Sequence, residues 1–307
     1  MIWQARRMGA KAKDLFTLPG FSGKILAALS SATYLLGRGG EILWVNQEGL
    51  PAHRRSLLLS LPPGNLFPGQ SFFMQGPFLQ LGPATTIDLR QGTEWKPAVI
   101  RPGQAEKLVR VNASVQQLVA SFPIPDSGRD LGQTLLLISG KDPSTLSPGT
   151  WVARALRPIL GLARACFDQD IVQVAQLGKE LIGLGPGLTP SGDDFLGGLL
   201  FAARSLKTAY PGDFLWEERP ITDLIEWAQE QTHCISHSIL SDLALGHGPE
   251  PLHDVVTALL RGEDLDGVMT GANLLLKVGH SSGWDMLAGA LTGMLLVSGK
   301  LKRQYTA

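Results

Sequence analysis

An excess of charge of either sign is missing: 27 lysines and arginines balance 27 aspartates and glutamates. That balance argues against a general polyanion-binding surface, and so against a nucleic-acid partner, while leaving room for a local anion site. Cysteine is scarce. Cys166 and Cys234 are the two in 307 residues, too few for a disulfide framework. The basic start MIWQARRMGAKAKDLF is not followed by the apolar segment of a secretory signal, so a reducing cytoplasm is expected. No run of about 20 uninterrupted apolar residues occurs, and no membrane span is expected. Familiar site motifs are absent as well. The richest glycine loop does not end in Gly-Lys-Ser/Thr, no predicted strand leads into it, and no H-E-x-x-H accompanies the histidines.

What is present is enough chain for two packed domains, with 44% hydrophobic and 18% charged residues. From about 20 to 145, short apolar or alternating segments such as EILWVNQ, SFFMQGPFLQLG, ATTIDLR, AEKLVRVNASVQQLV and TLLLISG are punctuated by Gly and Pro. Strands at that spacing predict a curled antiparallel sheet or barrel-like domain, although KILAALSSATYLLG (24–37) fits a helix equally well. The polar stretch SGKDPSTLSPGTW (139–151) marks the boundary. Beyond it the apolar period becomes helical, with Pro158 expected to kink or restart a helix. The expectation is therefore an α+β chain, with a β-rich unit over 1–145 followed by an all-helical unit over 146–307.

One stretch stands out: GLGPGLTPSGDD (183–194), with four glycines, two prolines and two adjacent acids ahead of the apolar run FLGGLLFAA. A helix start fits here, with Thr189 and Pro190 as cap and first residue, or with Ser191 capping and Asp194 closing a capping-box-like start. Both place Asp193 and Asp194 in the first turn, where the helix dipole favours acids. Capping explains Ser191 and one acid. The second acid and the density of glycine point instead to a shaped loop whose backbone N–H groups can approach an anion.

The stretch has an echo. SGDDFLGGLL (191–200) and SGWDMLAGAL (282–291) agree at six of ten positions. Small residues in both apolar helices predict close side-by-side packing, which would bring Ser191, Asp193 and Asp194 near His280, Ser281, Ser282 and Asp285. Such a constellation offers an anion site built from backbone, hydroxyls and His280. It equally offers oxygen ligands from Asp193, Asp194 and Asp285 to Mg²⁺ or a similar hard cation. Three carboxylates beside one anion would repel it, so some must turn away or meet a cation.

Other candidates are plainer. His233 and His237, four apart in a predicted helix, have the spacing of paired metal ligands but lack a third, and read as solvated or capping residues. Thr232 and Ser236 share a face and could bond either a substrate or their own helix carbonyls. Asn273 reads as a buried contact or an interhelical hydrogen bond, and His53-Arg54-Arg55 as a solvated turn. Trp44, Trp95 and Trp151 read as core, and Cys166 as an inert buried thiol.

GLGPGLTPSGDDFLGG, Thr232 with Ser236, and VGHSSGWDMLAG resemble a bacterial family catalogued as uncharacterised or putative carboxylases and linked to one subunit of oxamate carbamoyltransferase. The likeness spans the helical half at motif level. It implies carbamoyl transfer between oxamate and phosphate in purine and allantoin breakdown, carried out together with other subunits. The motif residues here are Gly185, Pro186, Gly187, Thr189, Pro190, Ser191, Gly192, Asp193, Asp194, Gly279, His280, Ser282, Gly283 and Asp285. Their chemistry suggests that the glycine loop, Thr189 and Ser191 hold the phosphate or carboxylate of a small anionic substrate such as oxamate or carbamoyl phosphate. His280 would act as general acid/base or electrostatic clamp, oriented by Asp194 or Asp285. Two other readings remain open at this point. One is a metal-dependent hydrolase loosely similar to the ADP-ribosylglycohydrolases, and the other is a non-catalytic metabolite-binding subunit.

Overall fold

The computed structural model describes residues 2–60, 66–122, 130–135 and 150–306. The chain divides into two compact units, 1–97 and 98–307.

In the first unit nine strands curl into a barrel-like sheet: β1 (Ile2–Gly9), β2 (Ser22–Ala28), β3 (Ala32–Gly37), β4 (Ile42–Gln47), β5 (Ser56–Leu59), β6 (Ser71–Gln75), β7 (Phe78–Leu81), β8 (Thr85–Asp88) and β9 (Thr93–Trp95). Helix α1 (Ala10–Thr17) follows β1. The order is β5-β4-β3-β2-β6-β7-β8-β1-β9, and a further pairing of β5 with β1 closes the ring. Most pairs are antiparallel, as expected, but β4–β5, β1–β8 and β1–β9 run parallel. Period-two alternation makes these segments strands: β7 sends Leu79 and Leu81 inward while Phe78 and Gln80 stay half-exposed. The ambiguous 24–37 stretch is the β2–β3 hairpin, with Ile25 opposite Leu35. Those two join Leu43, Leu57, Phe72 and Leu79 in the barrel core.

His53-Arg54-Arg55 is not the solvated turn that its composition suggests. His53 stacks on Trp44 with ring centroids 4.8 Å apart, and Arg55 Nη1 donates to the Ile42 carbonyl at 3.2 Å. β4 and β5 are buried on both faces, so the polar turn between them is covered as well.

The second unit is helical: α2 (Leu108–Ser121), α3 (Thr150–Phe167), α4 (Ile171–Gly178), α5 (Ser191–Ala209), α6 (Arg219–Ala228), α7 (Cys234–Ala244), α8 (Glu250–Arg261), α9 (Leu265–Leu275), α10 (Ser282–Gly293) and α11 (Leu295–Thr306), with a 3₁₀ turn at Leu131–Thr134. Residues 105–119, expected among the strands, contribute to α2. Val111, Val115, Leu118 and Val119 fall on one helical face and enter the helical core. This places the division at 97/98, well ahead of the expected 145. The anticipated boundary stretch lies, up to residue 149, outside the described residues, as does TLLLISG beyond Leu135. α3 passes through Pro158 without breaking, so the proline costs one backbone hydrogen bond rather than the helix.

Two helices form the centre of this unit. α5 is buried from Ser191 to Ala203, and α10 from Asp285 to Gly293. A helix apolar all round has no solvent face and must lie inside the fold.

Candidate functional site

The packing of α5 on α10 begins with their glycines. A Cβ on Gly198 would lie 2.1 Å from the Met286 carbonyl oxygen, and one on Gly289 would lie 1.8 Å from that of Phe195. Neither distance is sterically allowed, so the two backbones touch where no side chain intervenes. Gly198 and Gly289 occupy equivalent places in the echoed motifs, and so do Phe195 and Met286. Each glycine therefore meets the other motif's counterpart of its own neighbour. A Cβ on Gly293 would lie 3.0 Å from Cβ of Ala202, again its own equivalent. The echo in the sequence is a pseudo-twofold in space.

The helix starts meet through their hydroxyls. Thr189 Oγ1 lies 3.2 Å from Ser282 Oγ, and Ser191 Oγ lies 3.4 Å from Ser281 Oγ. Neither expected cap forms. α5 starts at Ser191 with Pro190 as its cap residue and no side-chain bond, and α10 starts behind Ser281 with none. The hydroxyls are directed across the junction instead of back onto their own helices. Gly192 and Gly283, next to the two serines, allow the same intimacy on the outer side. Cβ atoms there would fall 2.0 Å from the Leu181 carbonyl and 1.9 Å from that of Leu275. In the loop, Gly185 (φ 119°) and Gly187 (φ 96°) hold backbone that only glycine adopts without strain.

The three acids part company. Asp193 holds the loop together: Oδ1 accepts from the Gly183 amide at 2.7 Å, and Oδ2 accepts from Ser236 Oγ at 2.6 Å and from Thr232 Oγ1. Thr232 and Ser236 thus both donate to a protein carboxylate, and Thr232 precedes α7 rather than lying in it. Burial raises the Asp193 carboxyl, opposed by these three donors.

Asp194 and Asp285, equivalent in the two motifs, are buried at 2% and 0% exposure. Each feels the other helix's serine. Ser282 and Thr189 hydroxyls act on Asp194, and Ser191 and Ser281 hydroxyls on Asp285. Asp285 Oδ1 also accepts from the Leu131 amide at 2.7 Å. Oδ2 of both residues has no hydrogen-bond partner among the described residues. Burial first, and the Asp285 charge second, push Asp194 well above the usual carboxylate range. Burial likewise pushes Asp285 up to about 7, against the Leu131 amide. Two carboxylates so close to each other in a dry site do not both ionise without a compensating positive charge.

His280 occupies the position in the second motif that Thr189 holds in the first. It is exposed in the turn before α10, and no hydrogen bond ties its ring to Asp194 or Asp285 among the described residues. Gly279 beside it has φ 63°. The site is therefore layered. Gly185, Thr189, Ser281 and Ser282, half-buried, lie with exposed Gly187 and His280 above a floor of Ser191, Asp193, Asp194 and Asp285.

Among the described residues no group of three or more His, Cys, Asp or Glu side chains is placed to hold a metal ion. The trio of Asp193, Asp194 and Asp285 fails because Asp193 is spent on the loop. His233 caps α7, accepting from the Ile235 amide at 3.2 Å, while His237 Nε2 lies 3.0 Å from the Ile225 carbonyl. They are structural residues, not paired ligands. Asn273 is exposed rather than buried. Cys166 is buried, and burial pushes its thiol up to about 12, as an inert core cysteine requires. The site partner that the sequence did not signal is Leu131, whose amide arrives from 154 positions away.

Residues 181–294 match the family described as oxamate carbamoyltransferase subunit AllH. That match links the helical unit to the AllH family. The matched span begins at Leu181, just before the loop, and ends at Met294, just after α10. Every site residue above except Leu131 falls inside it, so the AllH match and the pseudo-twofold pair coincide. No solved structure matches the chain. Among the described residues no helix is long and apolar enough to cross a membrane.

Proposed function

We propose that this chain is one subunit of a cytoplasmic, multi-subunit carbamoyltransferase that interconverts oxalurate plus phosphate with oxamate plus carbamoyl phosphate. The paired starts of α5 and α10 are its contribution to substrate binding. The observation that carries this reading is the meeting of Thr189 with Ser282, and of Ser191 with Ser281, inside the span matched by the AllH family. Two hydroxyl pairs and a glycine-built loop suit the phosphate or carboxylate of a small anion better than a bulky apolar ligand.

In the reaction, a phosphate oxygen attacks the carbamoyl carbon of oxalurate. The tetrahedral adduct then collapses, the bond from that carbon to the oxamate nitrogen breaks, and the nitrogen takes up one proton. His280, the exposed imidazole of the motif, carries that proton. The loop amides and hydroxyls bind the charged ends, Asp193 keeps the loop in shape, and Asp194 with Asp285 orients the hydroxyls. The other subunits complete the site, so the isolated chain binds without turnover.

The test is phosphorolysis of oxalurate by the complete assembly. His280→Ala should lower kcat about a hundredfold, as loss of a general acid/base does. Thr189→Ala with Ser282→Ala should raise the KM for phosphate with the assembly intact. Wild-type rates from both variants in an intact complex would overturn the assignment.

A further inference from the structure

We propose that Asp194 and Asp285 together hold one hard divalent cation, of the Mg²⁺ or Mn²⁺ class, on the pseudo-twofold between the starts of α5 and α10. The hydroxyls of Thr189, Ser191, Ser281 and Ser282 surround it. The inference does not depend on carbamoyl transfer and stands or falls by binding alone.

Three observations carry it. The first is the pair of orphaned oxygens: Oδ2 of Asp194 and Oδ2 of Asp285 are buried without a partner among the described residues, where an unsatisfied polar atom is costly. The second is that, among the described residues, no cation is found acting strongly on either acid. The groups acting most strongly on Asp194 are Asp285, Ser282, Asp193 and Thr189, and on Asp285 they are Leu131, Ser191, Ser281 and Asp130, with no lysine or arginine among them. The third is symmetry. Ser191 and Ser282, and Asp194 and Asp285, are equivalent positions, so an object between them meets the same donors from both sides. A spherical ion fits that arrangement, whereas an asymmetric organic ligand or a single lysine would satisfy one half only.

The donor set then fixes the class. The side-chain atoms that could ligate are carboxylate and hydroxyl oxygens, which suit Mg²⁺, Mn²⁺ or Ca²⁺ rather than softer metals. A divalent ion offsets the two buried carboxylates better than a monovalent one does in a dry site. A third carboxylate is not required, because hydroxyls and water complete the shell.

The test uses the full chain, freed of metal by chelator. Paramagnetic resonance of added Mn²⁺ should show one bound ion per chain, displaced by Mg²⁺. Tm should rise with Mn²⁺ or Mg²⁺ and stay unchanged with K⁺ at equal ionic strength. Asp194→Asn and Asp285→Asn keep the shape and remove the charge, so each should retain the wild-type helical circular dichroism and lose the bound Mn²⁺. Asp266→Asn, in the first turn of α9, should keep it. The proposal is overturned by wild type that binds no Mn²⁺, by a Tm rise with K⁺ alone, or by unchanged Mn²⁺ binding in both site variants. The first of these would leave a proton as the neutralising charge. Because no arm measures turnover, an inactive complex would not count against the cation, nor would a missing cation count against the transferase.

Discussion

At the scale of single residues, the acids of one motif do different work according to the donors they meet. Asp193 collects a backbone amide and two hydroxyls from separate segments, so removing it strands all three at once. Asp193→Ala should therefore destabilise the chain by about 3 kcal/mol or more in urea unfolding, since each lost bond to a charged acceptor is worth about 1.5–3 kcal/mol. It should also speed hydrogen exchange at Gly183, and unchanged exchange there would mean that the loop is held by something else. In the barrel, Arg90 grips Asp88 through its guanidinium, with Nη2 to Oδ2 at 2.7 Å, and through its backbone amide at 3.0 Å. This holds the Asp88 carboxyl down at about 2, from an ordinary 3.8. A lowered carboxyl stabilises the fold above its unfolded value and loses that contribution as pH falls through about 2. Acid titration of Arg90→Ala, followed by circular dichroism, should accordingly show a smaller loss of stability between about pH 4 and 2 than wild type, the span between the two carboxyl values. The two cysteines differ as sharply. Cys234 is exposed and Cys166 buried, so a thiol reagent should label one site in the native chain and reach Cys166 only on unfolding.

At the scale of elements, the decisive contact is backbone on backbone. Adding one methyl at Gly198 or Gly289 places a carbon within about 2 Å of a carbonyl oxygen on the facing helix, and both helices are buried where they meet. Gly198→Ala and Gly289→Ala should each cost about 1–3 kcal/mol, the usual range for overpacking, and lower Tm. Gly212→Ala is the control, because a Cβ there meets nothing within 4 Å. If all three variants melted together, the close packing of α5 on α10 would be disproved. Much of this pair was legible in the sequence. The repeat of Ser-Gly-x-Asp and the small residues at matching places predicted that the two helices lie side by side. Three details were not legible. The caps failed because the hydroxyls found partners across the junction. Thr232 and Ser236 turned to Asp193, and α2 joined the helical core because Val111, Val115, Leu118 and Val119 share one helical face, a period obscured by the strand-like segments around it.

At the scale of the whole molecule, each unit carries its own core. The barrel core is drawn from residues up to Ile87, and the helical core from Ile100 onward. A fragment spanning 98–307 should therefore fold by itself, with a single cooperative loss of helical signal on heating. A non-cooperative melt would show that the helical core needs the barrel. The sequence by itself determined the classes of both units, the approximate place of the loop, and the equivalence of its two acidic motifs, because period, glycine and local repeats are written in neighbouring residues. Only the tertiary structure decided which acid is spent on the loop and which two remain buried with an oxygen unmet. Hydrogen bonds and desolvation depend on atoms that approach from far along the chain, as the Leu131 amide does to Asp285, and neither spacing nor composition records that approach.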